Sequence, residues 1–206
     1  MIEKRVTISE SLQGLLSKMT PQQEQIVVGM FQHYMEQFSN LRTTNNAESV
    51  SDAVHKGIDA CIEEAIEEKG DEVVSCGNGC SFCCFQQVDI SDDEATLLTD
   101  YSREIEKEID YDTLKRQLAA EDYGSLPIKD RRCIFLEVDS CSVYEHRPSA
   151  CRKLIVVSDA NLCDTEKNKG AEVKKLVNLE AEVMTSASLN FRESGSMAKM
   201  LIKSKT

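Results

Sequence analysis

Cys76-Gly-Asn-Gly-Cys80-Ser-Phe-Cys83-Cys84 puts four thiols into nine residues. The chain has nine cysteines in 206 residues, and three more follow at Cys133, Cys141 and Cys151. Zinc and iron–sulfur centres need several thiolates converging on a small volume. A tight turn supplies some of them and a second segment supplies the rest. Gly77 and Gly79 suit such a turn, because glycine lets the backbone curl and leaves its N–H groups free to face sulfur. The adjacent pair Cys83-Cys84 adds a constraint. Neighbouring side chains point to opposite faces of an extended chain and diverge by about 100° in a helix. The pair therefore predicts two metal ions, or one multinuclear centre, rather than a single tetrahedral ion.

Cys76, Cys80, Cys83, Cys84, Cys133, Cys141 and Cys151 make seven candidate ligands, and Cys163 makes an eighth. Eight thiolates could fill two four-coordinate sites. His146, before Arg147-Pro148, is the alternative eighth ligand. Cys61 lies on an apolar helical face and reads as a small buried hydrophobe. His33 and His55 also sit in helical patterns and read as structural residues. Residues 129–153 hold six bases (Lys129, Arg131, Arg132, Arg147, Arg152, Lys153) against Asp130, Glu137, Asp139 and Glu145. Bases beside cysteines would lower thiol pKa and offset an anionic thiolate–metal centre.

The net charge of −12 gives no electrostatic case for nucleic acid or an anionic membrane. The longest apolar run, 26–31, is too short to span a bilayer, and the first residues have no signal-peptide pattern. The expected setting is a soluble, cytoplasmic protein, where reduced thiols serve metal binding or redox chemistry rather than a disulfide framework.

Along the chain, Thr7-Ile-Ser-Glu10 has the form of a capping box, with Leu12, Leu15, Leu16 and Met19 following at helical spacing. Thr20-Pro21 restarts the pattern, and Ile26, Val27, Met30, Phe31, Tyr34, Met35 and Phe38 form a stripe that Ser39-Asn40 breaks. A third helix is predicted over 47–69, ending at Gly70. Residues 72–75 read as an extended lead-in and 85–90 as a strand. Ser91-Asp-Asp-Glu94 is a second capping box, opening a helix with Ala95, Leu98, Ser102 and Ile105 on one side. A short helix after Tyr111 carries Leu114 and Leu118. Residues 132–136 and 141–144 read as a hairpin, and 154–157 as another strand. One amphipathic helix is predicted over 164–191, and the basic tail from Arg192 is expected to fray. The fold class is mainly α with a small irregular, β-hairpin cysteine-rich metal-binding core. Its parts are an N-terminal helical module (1–70), the cysteine-cluster core (71–165), and a C-terminal helix and tail packing on that core (166–206).

The CxxxCxxCC stretch, then Cys133-Ile-Phe-Leu136, then Cys141-Ser-Val-Tyr-Glu-His-Arg-Pro-Ser-Ala-Cys151-Arg152, resembles the YkgJ-type cysteine-cluster family. Its members are described as zinc- or iron-chelating. The resemblance covers roughly 76–152 and implies that the seven matched cysteines are ligands. The family usually has an eighth cysteine soon after the Arg-Pro stretch, and here the only candidate is Cys163, twelve residues on. Some members of the wider family are flagellin lysine methylases, which are longer. Cys76-x3-Cys80-x2-Cys83 is also similar to the cluster-binding spacing of radical S-adenosylmethionine enzymes, whose partial barrel needs many alternating strands and helices. The leading expectation is a protein binding zinc or iron, with an iron–sulfur cluster as one form. A metal- or iron–sulfur-dependent enzyme acting on a protein side chain, and a thiol-based redox or metal sensor, are the alternatives. The sequence leaves open whether there is catalysis, and it names no protein partner.

Overall fold

The computed structural model describes residues 6–69 and 74–205. It is mainly helical, with three two-stranded antiparallel sheets among the described residues. These residues do not form the stranded barrel of a radical S-adenosylmethionine enzyme.

Helices α1 (Glu10–Leu16), α2 (Pro21–Thr44) and α3 (Ala47–Lys69) come first. Thr20 caps α2 in the expected box with Gln23. The cap of α1 is Ser9 rather than Thr7, because the Thr7 backbone is held elsewhere: its N–H donates to Asn190 Oδ1 (2.8 Å) and its carbonyl accepts from Asn190 Nδ2 (2.7 Å). Helix α2 runs through Ser39-Asn40, against expectation. The hydroxyls of Thr43 and Thr44 bond back to the carbonyls of Asn40 and Leu41, and Arg42 reaches Asp93, so the last turn is secured. Ile26 is exposed, while Val27 and Phe38 carry the buried face. Helix α3 has the expected bounds as far as Lys69, with Val50, Val54 and Ile58 buried; Gly70 and residues 72–73 lie outside the described residues.

The Phe82–Phe85 turn is a 3-10 helix, and the strand that follows is only β1 (Asp89–Ser91). Helix α4 (Asp92–Glu104) opens with the Ser91–Glu94 capping box, and α5 (Tyr111–Ala119) buries Leu114. Ile105 and Leu118 are exposed instead of inward-facing. After the short α6 (Ile128–Arg131), the hairpin is trimmed to β2 (Leu136–Glu137) and β3 (Ser140–Cys141), with Leu136 opposite Cys141 and Val138 at φ 53° in the turn. Helix α7 (Ser149–Arg152) is a single turn. Strand β4 (Ile155–Val156) pairs with β5 (Lys175–Leu176).

The expected helix over 164–191 is broken. Gly170 takes φ +79°, Lys175–Leu176 bonds to β4, and only Leu179–Asn190 is helical, as α8, with Asn178 as its cap. The tail is not frayed either. β6 (Ser194–Ser196) pairs with β1, Ile90 opposite Gly195, and α9 (Met197–Ser204) buries Ala198, Met200 and Leu201.

Three apolar clusters result. Phe38, Ile58, Ile62, Met184 and Ala187 join α2, α3 and α8. Leu98, Leu114, Phe135, Val143 and Leu201 join α4, α5, α9 and the hairpin. Leu12, Val27 and Val183 join α1, α2 and α8. Residues 181–190 of α8 are all buried, so this helix is the centre of the helical body. Met184 lies so close to Gly57 that a Cβ there would stand 2.3 Å from the Met184 methyl, which sets the spacing of α3 and α8.

Leu201 is fully buried, so Leu201→Ala should cost about 2–5 kcal/mol in urea denaturation. A loss under about 0.5 kcal/mol, the scale of surface substitutions, would remove α9 from the core.

Candidate metal centre

The four-thiol stretch is a turn followed by a 3-10 helix. Gly79 takes φ +96°, a conformation costly for other residues, and Cys80 N–H closes the turn on the Gly77 carbonyl (3.0 Å). The Cys84 carbonyl accepts from Cys133 N–H (2.8 Å), which ties the stretch to the approach of the hairpin. Ser75 N–H donates to the Val156 carbonyl (2.9 Å), and Val156 N–H donates to the Cys76 sulfur (3.1 Å), tying it to β4. Backbone amides of Phe135 and Leu136 serve the Cys133 sulfur in the same way, and that of Val143 serves Cys141. The expected donors, Gly77 and Gly79, are replaced in this role by amides from the second half of the site.

Seven thiols, Cys76, Cys80, Cys83, Cys84, Cys133, Cys141 and Cys151, line one cavity of about 530 Å³, with Gln86, Gln87, Tyr123, Lys153 and the α8 residue Ser186 on its walls. Cys163 is not on that wall. Its 3-10 turn, Ala160–Cys163, packs against Phe82–Phe85 and brings it within electrostatic range of Cys80 and Cys83. Cys61 remains in the α3 apolar cluster. His146 packs on Tyr101 with ring centres 4.2 Å apart and does not line the cysteine cavity. His33 packs on Tyr34. As they lie, no three cysteine, histidine, aspartate or glutamate side chains among the described residues stand in ready ligand positions, so the sulfurs ring the space rather than meeting at a point.

Burial is the main influence on these thiols. It pushes Cys76, Cys141 and Cys163 up, Cys133 up to about 11, and Cys151 well above the usual range. Cys83 is the exception. The Cys84 thiol donates a hydrogen bond to its sulfur, which brings Cys83 down to about 7 and pushes Cys84 up. Adjacent side chains were expected to diverge; the tight 3-10 geometry keeps this pair in contact. The mutual influences fall into two sets. Cys76 feels Cys80, Cys83 and Cys163, while Cys151 feels Cys133, Cys83 and Cys141. Cys83 belongs to both.

Three of the six bases of 129–153 turn to carboxylates outside that segment. Arg131 pairs with Glu166, Arg152 with Asp59 and Lys153 with Glu182. Arg147 lies near Cys141 and opposes the rise that burial causes, with its guanidinium over the Tyr144 ring (4.2 Å).

Residues 75–175 match a family model, CxxCxxCC, described as "Putative zinc- or iron-chelating domain". Over this segment the chain is similar to that cysteine-cluster family. All eight candidate ligands, Cys163 included, fall inside the matched segment, and Cys61 falls outside. No characterised relative and no solved structure matches the chain significantly.

His55 is buried in the structure. Its Nε2 is 3.1 Å from Glu94 Oε1. The same oxygen accepts from Ser149 N–H and Ser149 Oγ, each at 2.7 Å, while Glu94 Oε2 accepts from Ser91 N–H at 3.0 Å. The capping-box pattern identified Glu94, but residues 39 and 55 positions away complete its shell and leave no local sequence signal. Burial alone would raise this carboxyl. The bonds from His55 and Ser149 outweigh it and hold the group at about 2, below its usual 4.5. A carboxyl depressed in the folded state contributes stability that is complete above its unfolded value and is lost as pH falls through the folded one. Stability should therefore decline from about pH 4.5 toward about 2, by roughly 3 kcal/mol from this group. Urea denaturation at a series of acid pH values should show that decline flattened in Glu94→Gln; an unchanged slope would refute the assignment.

Proposed function

We propose that the chain is a metal-binding protein whose eight cysteines hold zinc or iron, the iron as single ions or as an iron–sulfur cluster. The observation that carries this reading is the donor set: eight thiols inside the matched segment, seven of them around one cavity, with backbone amides directed at Cys76, Cys133 and Cys141. Amide donors stabilise sulfur as thiolate, the form that binds metal. Burial opposes that form in the metal-free protein, and this suits a site whose thiolates need a cation for company. Cys76, Cys80 and Cys163 would make one group and Cys133, Cys141 and Cys151 the other. The Cys83-Cys84 contact would join them, as two ions or as one multinuclear centre. When bound, the metal would supply either structural cross-linking or a Lewis-acid or electron-transfer centre. The free state of all nine cysteines suits a reducing, cytoplasmic setting.

A second reading, a thiol redox sensor, has one observation in its favour: Cys83 sits at about 7 beside a hydrogen-bonding thiol.

Anaerobic purification followed by metal and acid-labile sulfide analysis separates the two. The metal reading expects stoichiometric zinc or iron, reduced by Cys76→Ser and by Cys151→Ser and unaffected by Cys61→Ser. Binding should also release protons, so apparent affinity should rise between about pH 6 and about pH 8. A folded, fully reduced protein that takes up neither metal would overturn the reading and favour the sensor.

A further inference from the structure

Cys151 sits on α7, a helix of four residues. One turn cannot hold its own position, since a helix this short is far below the length that is stable alone. Its neighbours in sequence are fastened instead, and these fastenings reach α3 and α8 as well as residues of the segment itself. At its start, Ser149 gives its N–H and hydroxyl to Glu94, which His55 of α3 also contacts. At its end, the Arg152 guanidinium pairs with Asp59 of α3 and donates to the carbonyls of Glu145 and Arg147. Lys153, just beyond, pairs with buried Glu182 of α8 at 2.7 Å. His55 and Asp59 are one turn apart on α3, so a single helical face meets both ends of α7. His55, Asp59 and Glu182 all lie outside the matched segment 75–175.

We propose that α3 and α8 form a rack that positions Cys151 against the other thiols, with His55, Glu94, Asp59 and Glu182 as positioning residues for the metal site. This rests on the metal-binding reading above. The helical body outside the cysteine-cluster segment then sets how tightly that segment holds its metal. Partners that orient ligand-bearing groups typically change metal affinity by about 10–100-fold when removed.

The test uses the full chain, with cobalt(II) as the probe. Affinity is read by chelator competition and thiolate ligation by the sulfur-to-cobalt charge-transfer band at saturation. Asp59→Asn and Glu94→Gln should each weaken cobalt by about 10-fold or more and lower the saturated band by the step that Cys151→Ser produces. In a Cys151→Ser background neither should add a further loss. Lys56→Gln, which removes an exposed ion pair with Asp52 on the same helix, should change nothing. Asp59 is the more exposed end of the rack, so Asp59→Asn reports even where Glu94→Gln fails to fold. Losses that add fully to Cys151→Ser, or a saturated band left at wild-type height, would overturn the rack while the metal reading stands. A wild-type chain with no charge-transfer band would overturn both.

Discussion

The carboxylate of Glu94 is buried, and much of the architecture follows from how it is satisfied. A buried charge without partners costs several kcal/mol, so the chain must bring donors to it. Those donors come from the Ser91 backbone, from α3 through His55, and from α7 through Ser149. The residues beside it on α4 work alike. Asp93 is buried and takes Arg42 from the end of α2, while Asp92 takes Arg192 from the approach to β6. Three successive acids in the first turn of one helix, where the helix dipole favours negative charge, thereby gather segments from across the chain. An error in any one of these placements would strand a charge, and this makes the junction cooperative.

What the sequence made legible follows from the range of each interaction. Thr20, Ser91 and the apolar stripe of α3 act within a turn or two of themselves, and their helices begin where expected. Helix α8 defeated the same logic because it has no polar face. Its buried run mixes Ala, Ser, Thr and Val around the whole circumference, so no 3.6-residue alternation marks its ends. Helix α9 was hidden by lysines. Lys199 and Lys203 give the tail a solvated look, yet both reach Glu193, and the intervening Met200 and Leu201 fill the second core. Around the cavity, the spacing of the seven cysteines that line it was visible in the sequence. The ion pairs of Asp59 and Glu182 were not, because they form only when α3 and α8 are folded against α7 and the residue after it.

The basic residues around the second cysteine group show how composition can mislead. Their excess over acids within 129–153 suggested a counter-charge for thiolates. Half of those bases instead make ion pairs elsewhere, Arg152 and Lys153 with Asp59 and Glu182 of the helical body and Arg131 with Glu166 of a loop. The support aimed at sulfur is dipolar, coming from the amides of Val156, Phe135, Leu136 and Val143. Backbone dipoles are fixed by fold geometry, whereas lysine and arginine side chains would each have to be ordered at an entropic cost.

This division of labour bears on why the cysteine segment is joined to so many helices. Around Cys133, Cys141 and Cys151 the regular structure is two-residue strands and a single helical turn, and a cavity of about 530 Å³ lies among the thiols. The second core holds Cys133 and Cys141, but the single turn that carries Cys151 is too short to fix its own position. Rigidity must then come from neighbours with cores of their own, and α3 and α8 have them. The residues through which they act are charged or polar, and this is the expected form of the contact. Directional bonds transmit position to a single-turn helix, where apolar packing would transmit only proximity.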